Sequence, residues 1–184
     1  MLSVIHIFDH SKYCKEYEKW GIKVFSGAEN INKHNLSGQP LENLKMFQVG
    51  TFNIVPFSVE HDVPDCFGYV IASRMTGDQL LFATDTYFVR YRFANLTHIM
   101  LECNFDRETL SETVDDRHLE RVFESHMSLQ DLKLMLKAND LSKVEAIYLL
   151  HASQDNLDPH KAKREIQELT GLPVYLCAKN GGFV

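Results

Sequence analysis

Short apolar runs rich in β-branched residues recur along this chain, and most of them end in a histidine or a carboxylate. Asp9-His10 follows the run over residues 2–8, His61-Asp62 follows FNIVPFSVE, and Asp85 follows QLLFAT. Glu102 closes HIMLE, His151 closes VEAIYLLH, and His126 belongs to the same series in SHMS. This placement constrains the fold more than any other feature. Loops that leave the strands of a rigid sheet can aim several distant side chains at one point. Ligands spread over about 140 residues suit a site that the fold assembles, not a contiguous motif such as a zinc finger. Oxygen and imidazole donors without cysteine favour zinc, manganese or iron over a thiolate-rich structural site.

The remaining pattern predicts an α/β protein. Residues 11–20 (SKYCKEYEKW) read as a helix stopped by Gly21, and IKVFS reads as a short strand. LKMFQVG and FNIVPFSVEH read as two strands turning at Gly50, while FGYVIAS and QLLFATD flank the turn RMTGD as an antiparallel hairpin. HIMLECN (98–104) is a predicted strand, followed by two helical stretches over about 107–137 and by the strand VEAIYLLH (144–151). Residues 158–170 form an amphipathic helix with Pro159 near its first position and Gly171 at its end, and LPVYLCA closes as a strand. Strands dominate early and strand–helix alternation dominates late, so layers around a mixed sheet are expected in a single domain over 1–184.

Composition sets the outer bounds. A chain of 184 residues with 45% hydrophobic and 24% charged residues can bury one substantial core. No apolar run approaches the ~20 residues that span a bilayer, and Asp9, His10 and Lys12 interrupt the N-terminus too early for a signal peptide. A cytoplasmic location without a membrane is the resulting expectation. Cys14, Cys66, Cys103 and Cys177 are scattered without a C-x-x-C pair, which predicts reduced thiols. A formal net charge of −6 argues against a broad basic surface for nucleic acid, though not against a phosphodiester held locally by metal ions.

Each polar residue also has a plainer reading. Asp9-His10 at a helix start is, taken alone, more often an N-cap with a solvated neighbour, and His61-Asp62 before Pro64 also reads as a polar turn. Glu102 could be a surface charge at a strand end, and His126 a neighbour of a helix cap between Ser125 and Ser128. FATDT is less ordinary, because Asp85 ends an apolar strand between threonines that can hydrogen-bond beside it. His6 reads as a core or edge histidine, and His34, His98, His118 and His160 lie in polar surroundings without an assigned role.

In order along the chain, D-H-S-K, V-x-H-D, F-A-T-D-T, E-C-N, S-H-M-S and L-L-H-A-S resemble the metallo-β-lactamase-fold hydrolases. Among these the pattern is most similar to the ribonuclease Z-like and phage-type phosphodiesterase branch, from residue 4 to about 178. The resemblance implies an αβ/βα sandwich with one or two Zn2+ (or Mn2+) ions at its edge. It implies metal ligands at Asp9, His10, His61, Asp85 and His151, with Asp85 bridging two ions and His61 on the first. Asp9 would also orient the attacking water or take its proton, and Glu102 with His126 would serve the scissile phosphate and leaving oxygen.

Two departures accompany the resemblance. The family motif H-x-H-x-D-H has Ile5 and Ile7 at its first two histidine positions, which predicts an incomplete first metal site. The motif also begins at residue 4, so the chain resembles an N-terminally shortened member, with self-association or a partner expected at the uncovered edge. The implied function is a metal-dependent phosphodiesterase acting on nucleic acid or nucleotides. The alternative is a non-catalytic or fragmentary binding module that keeps one ion.

Overall fold

The computed structural model describes residues 2–4, 13–61, 65–110, 122–153 and 155–177. A first group of elements runs β1 (Leu2–Val4), α1 (Cys14–Lys19), β2 (Lys23–Ser26), α2 (Ala28–Lys33) and β3 (Gln39–Pro40). These strands make a parallel sheet in the order β1-β2-β3. The larger sheet holds β4 (Phe47–Val49), β5 (Phe52–Ser58), β6 (Phe67–Ser73), β7 (Gln79–Ala83), β8 (His98–Glu102), β9 (Ala146–Leu150) and β10 (Val174–Leu176). Its order is β10-β9-β8-β7-β6-β5-β4, antiparallel from β4 to β7 and parallel from β7 to β10. Three further helices, α3 (Arg107–Leu110), α4 (Leu129–Ala138) and α5 (Pro159–Thr170), belong to the second half.

Alternation along the strands builds the layers, because successive side chains face opposite sides of a sheet. In β2, Val24 packs with Cys14 of α1 and Ile31 of α2, while its neighbour Phe25 packs with Ile54, Phe67 and Tyr69 of the large sheet. On the other face of that sheet, Leu81, Leu101, Ile147, Leu149 and Val174 meet Leu132 and Leu136 of α4 and Ile166 of α5. Helix, sheet, sheet and helix are thus stacked in that order. This is the expected αβ/βα sandwich.

Local chemistry explains most element ends. Asp158 caps α5 by accepting from the His160 and Lys161 amides at 2.9 and 3.1 Å, and Gly171 ends it at φ 70°, where a side chain would be strained. Ser128 caps α4 by accepting from the Asp131 amide at 3.1 Å. Sequence reading missed α2, which has neither a capping side chain of its own nor an apolar period. Its cap comes from a distant loop, where Asp65 accepts from the Glu29 amide at 2.8 Å. Among the described residues no helix is long and apolar enough to cross a membrane.

The packing beneath the end of β5 and the start of β6 is tight at Gly68. A methyl group on Gly68 would collide with the ring of Phe57, itself 1% exposed, and press on Ala83. Gly68→Ala is therefore expected to cost about 1–3 kcal/mol by overpacking. Chemical denaturation checks this, and an unchanged midpoint would show that the Phe57 ring yields freely.

Candidate metal centre

Parallel pairing brings the strand ends together. Ala83 lies opposite Leu101 and Leu101 opposite Leu149, while Glu102 lies opposite Leu150. Asp85, Glu102 and His151 therefore leave β7, β8 and β9 at one level of the sheet. Asp85 (φ 54°) and His151 (φ 52°) both adopt the left-handed backbone conformation. Non-glycine residues tolerate that region at a cost, and such strain concentrates at functional sites. His126 arrives differently, from the turn between a helical stretch at 122–125 and the Ser128 cap of α4.

One ligand-type atom from each of Asp85, Glu102, His126 and His151 lies within 4.8 Å of all the others. Glu102 is at the centre and fully buried. One carboxylate oxygen meets Nδ1 of His126 at 2.6 Å and Nδ1 of His151 at 3.1 Å, and the other accepts from the Thr86 amide at 3.1 Å. His151 Nδ1 also lies 3.4 Å from an Asp85 oxygen. Burial pushes the Glu102 carboxyl up, but the hydrogen bonds and charges of His126 and His151 outweigh it and leave it below the usual carboxylate range. An ionised carboxylate only accepts, so both imidazoles carry their proton on Nδ1 at this contact. Nε2 of each ring is then the nitrogen available to an ion or a substrate.

The donor set fits a divalent cation. Asp85 and Glu102 are 4% and 0% exposed and bring oxygen donors to within 4.8 Å of the two imidazoles, at a point shielded from water. Imidazole and carboxylate donors without thiolate suit zinc, manganese or iron alike.

Of the residues expected from sequence, the structure brings together Asp85, His151, Glu102 and His126. The reading of Glu102 as a strand-end surface charge is corrected by its complete burial. His126 is both a neighbour of the α4 cap and a member of the cluster. His61 is beside the four and not among them, with its ring 6.3 Å from that of His126. It lines a cavity of about 440 Å³ with Tyr87, Phe123 and Glu124. Asp9 and His10 lie outside the described residues, as do Ile5, His6 and Ile7. Sequence reasoning gave no role to Tyr87 or Phe123, which stand beside the motifs without belonging to them, nor to Asn104, which closes the E-C-N motif without an assigned part.

Neither a protein-family model nor a curated protein matches the chain by sequence. Solved structures do match. The metallo-β-lactamase fold protein YhfI from Bacillus subtilis aligns at a TM-score of 0.68 and 13% identity, over 100% of this chain and 76% of its own. The fold is that of the metallo-β-lactamases. A diphosphatase from the PhnP family aligns at 0.64 with 15% identity, over 100% of this chain and 69% of the diphosphatase. CmlA, a diiron β-hydroxylase from Streptomyces venezuelae, aligns at 0.65 with 11% identity, over 100% of this chain and 44% of CmlA. A metallo-β-lactamase fold thus carries more than one chemistry, and the activity of this chain has to be argued from its site.

Proposed function

We propose that this chain is a metal-dependent phosphodiesterase acting on a compact, nucleotide-sized phosphodiester. The observation that carries this reading is Glu102, buried and ionised, holding His126 and His151 through Nδ1 beside Asp85. Asp85 and His151 would hold the cation, with Asp9 and His10 as further ligands and His61 directed to a second ion. A divalent cation bound there supplies Lewis-acid polarisation of a phosphoryl oxygen.

The chain's own groups do the rest. Glu102 retains the Nδ1 proton of His126 and fixes the ring, so that Nε2 faces the substrate. A proton on His126 Nε2 would pass to the leaving oxygen as a water oxygen adds to phosphorus and the bond to the leaving group breaks, with Asp9 taking the water's proton. The resemblance to ribonuclease Z-like enzymes supports this part for the carboxylate–imidazole pair, which would serve the scissile phosphate and the leaving oxygen. Tyr87 and Phe123 add aromatic walls beside His61, and Glu124 adds an acceptor for an amino group. Such walls suit a heterocyclic base, and the chain's net charge of −6 disfavours a long polyanion.

The test is turnover of bis(p-nitrophenyl) phosphate and of a cyclic nucleotide with Mn2+ or Zn2+. Wild type is expected to hydrolyse both, chelation to stop it, and His126→Ala to lower kcat/KM by about 10²–10⁴-fold. Protein that holds the ion and turns over neither phosphodiester would sink the proposal. It would then be the non-catalytic binding module that Ile5 and Ile7 suggest.

A further inference from the structure

Asn104 lies two residues beyond Glu102, on the loop leaving β8, and is 8% exposed. It bonds in three directions. Its backbone amide donates to the carbonyl of Met127, next to His126, at 2.9 Å. Its carbonyl accepts from the Ser153 amide at 3.0 Å, and its side-chain Nδ2 donates to the carbonyl of His151 at 2.8 Å. One residue therefore ties the Glu102 loop both to the turn carrying His126 and to the loop carrying His151.

We propose that Asn104 is a positioning residue that sets His126 and His151 against Glu102, and that it thereby tunes the metal centre. The side chain matters most at His151. That residue holds a left-handed backbone at φ 52°, which reverses the chain directly after β9 and turns its carbonyl towards the Asn104 amide. The backbone bonds are available to any residue but proline, whereas the Nδ2 bond depends on the residue type. Without it, the backbone of residues 151–153 is held to this loop through the Ser153 amide, and the His151 ring loses one of the bonds that fix its distance to Glu102. Partners that orient ligating histidines from behind contribute to metal affinity in this way.

Asn104→Asp keeps size and shape while an oxygen replaces the donor and faces another carbonyl, and Asn104→Ala, which removes the donor without adding a charge, is expected to act in the same direction. With the four-residue cluster read as a metal centre, Asn104→Asp is expected to weaken Mn2+ binding by about 10–100-fold in calorimetry well below the melting temperature. Ile166→Val, a core change in α5, is the control: it should lower the melting temperature and leave Mn2+ affinity alone. A second measurement needs no metal. Hydrogen exchange at the Ser153 amide should speed up at least about tenfold in the metal-free variant, while the Cys103 amide, bonded to Leu150, keeps its protection. Mn2+ affinity within about twofold of wild type, or unchanged exchange at Ser153, would overturn the role of Asn104. Wild-type protein that binds no Mn2+ would overturn the metal reading instead, and the exchange result would then decide the Asn104 linkage by itself.

Discussion

A divalent cation is expected to raise the melting temperature of the metal-free protein, and Asp85→Asn is expected to abolish that rise. In the absence of an ion, Asp85 and Glu102 place two buried carboxylates within one cluster. An ion that binds only the folded state stabilises it by mass action, by about 4 kcal/mol at a thousand times its dissociation constant. For a chain of this size that is a shift of roughly 8–16 °C. Asparagine has the shape of aspartate and tolerates the left-handed φ of 54° that this position requires, so the Asp85→Asn variant should fold. It lacks the anionic oxygen that a cation needs. Thermal unfolding of chelator-dialysed protein, with and without Mn2+ or Zn2+, is the measurement. A cation-induced shift as large in Asp85→Asn as in wild type would remove Asp85 from the centre.

The second large effect is expected behind the site, where Asp106 is 1% exposed and anchors the Glu102 loop to both outer helices. One of its carboxylate oxygens accepts from Lys161 of α5 at 2.6 Å. The other accepts from Gln130 of α4 at 2.7 Å and from the Glu108 amide at 3.1 Å. Burial pushes the Asp106 carboxyl up, but Lys161, Gln130 and the Glu108 amide outweigh it and hold it below the usual range. Removing one member of a buried pair costs about 3–5 kcal/mol. The Lys161 side chain is 32% exposed and can turn to water or to Glu108, so we expect about 2–3 kcal/mol from Asp106→Ala, a fall of roughly 4–12 °C.

The pH dependence follows from the direction of the shifts. A carboxyl whose pKa is lower in the folded state contributes stability above its unfolded value of about 3.9 and loses it as pH falls through the folded value. Lys161 is shifted upward, so its share is present below about 10.4 and is lost only as pH rises beyond that. The gap between wild type and Asp106→Ala should thus be flat from about pH 5 to 9 and narrow below about pH 4. Urea titrations at pH 3 and pH 7 that show an equal gap would mean that Asp106 acts through packing alone.

Much of the architecture is legible in the chain. Apolar runs with polar ends marked β5 to β9, the hairpin turning at Gly77 formed as expected (φ 83°), and Pro159 and Gly171 bounded α5. These features are local. Strand alternation, turn glycines and helix caps act within a few residues, so they can be read without knowing what packs on them. For the same reason α2 was missed, since its cap is Asp65, more than thirty residues away.

The sequence by itself determined which residues could serve as ligands and that most of them stand at strand ends. Tertiary structure alone decided which of them meet. Parallel register among β7, β8 and β9 levels Asp85, Glu102 and His151, and pairing of that kind depends on sheet order that periodicity does not encode. The fold also converted Glu102 from a candidate surface charge into the buried acceptor of two imidazoles and an amide. A carboxylate can be buried and ionised only where converging donors compensate its lost hydration, and here those donors come from three separate segments of the chain.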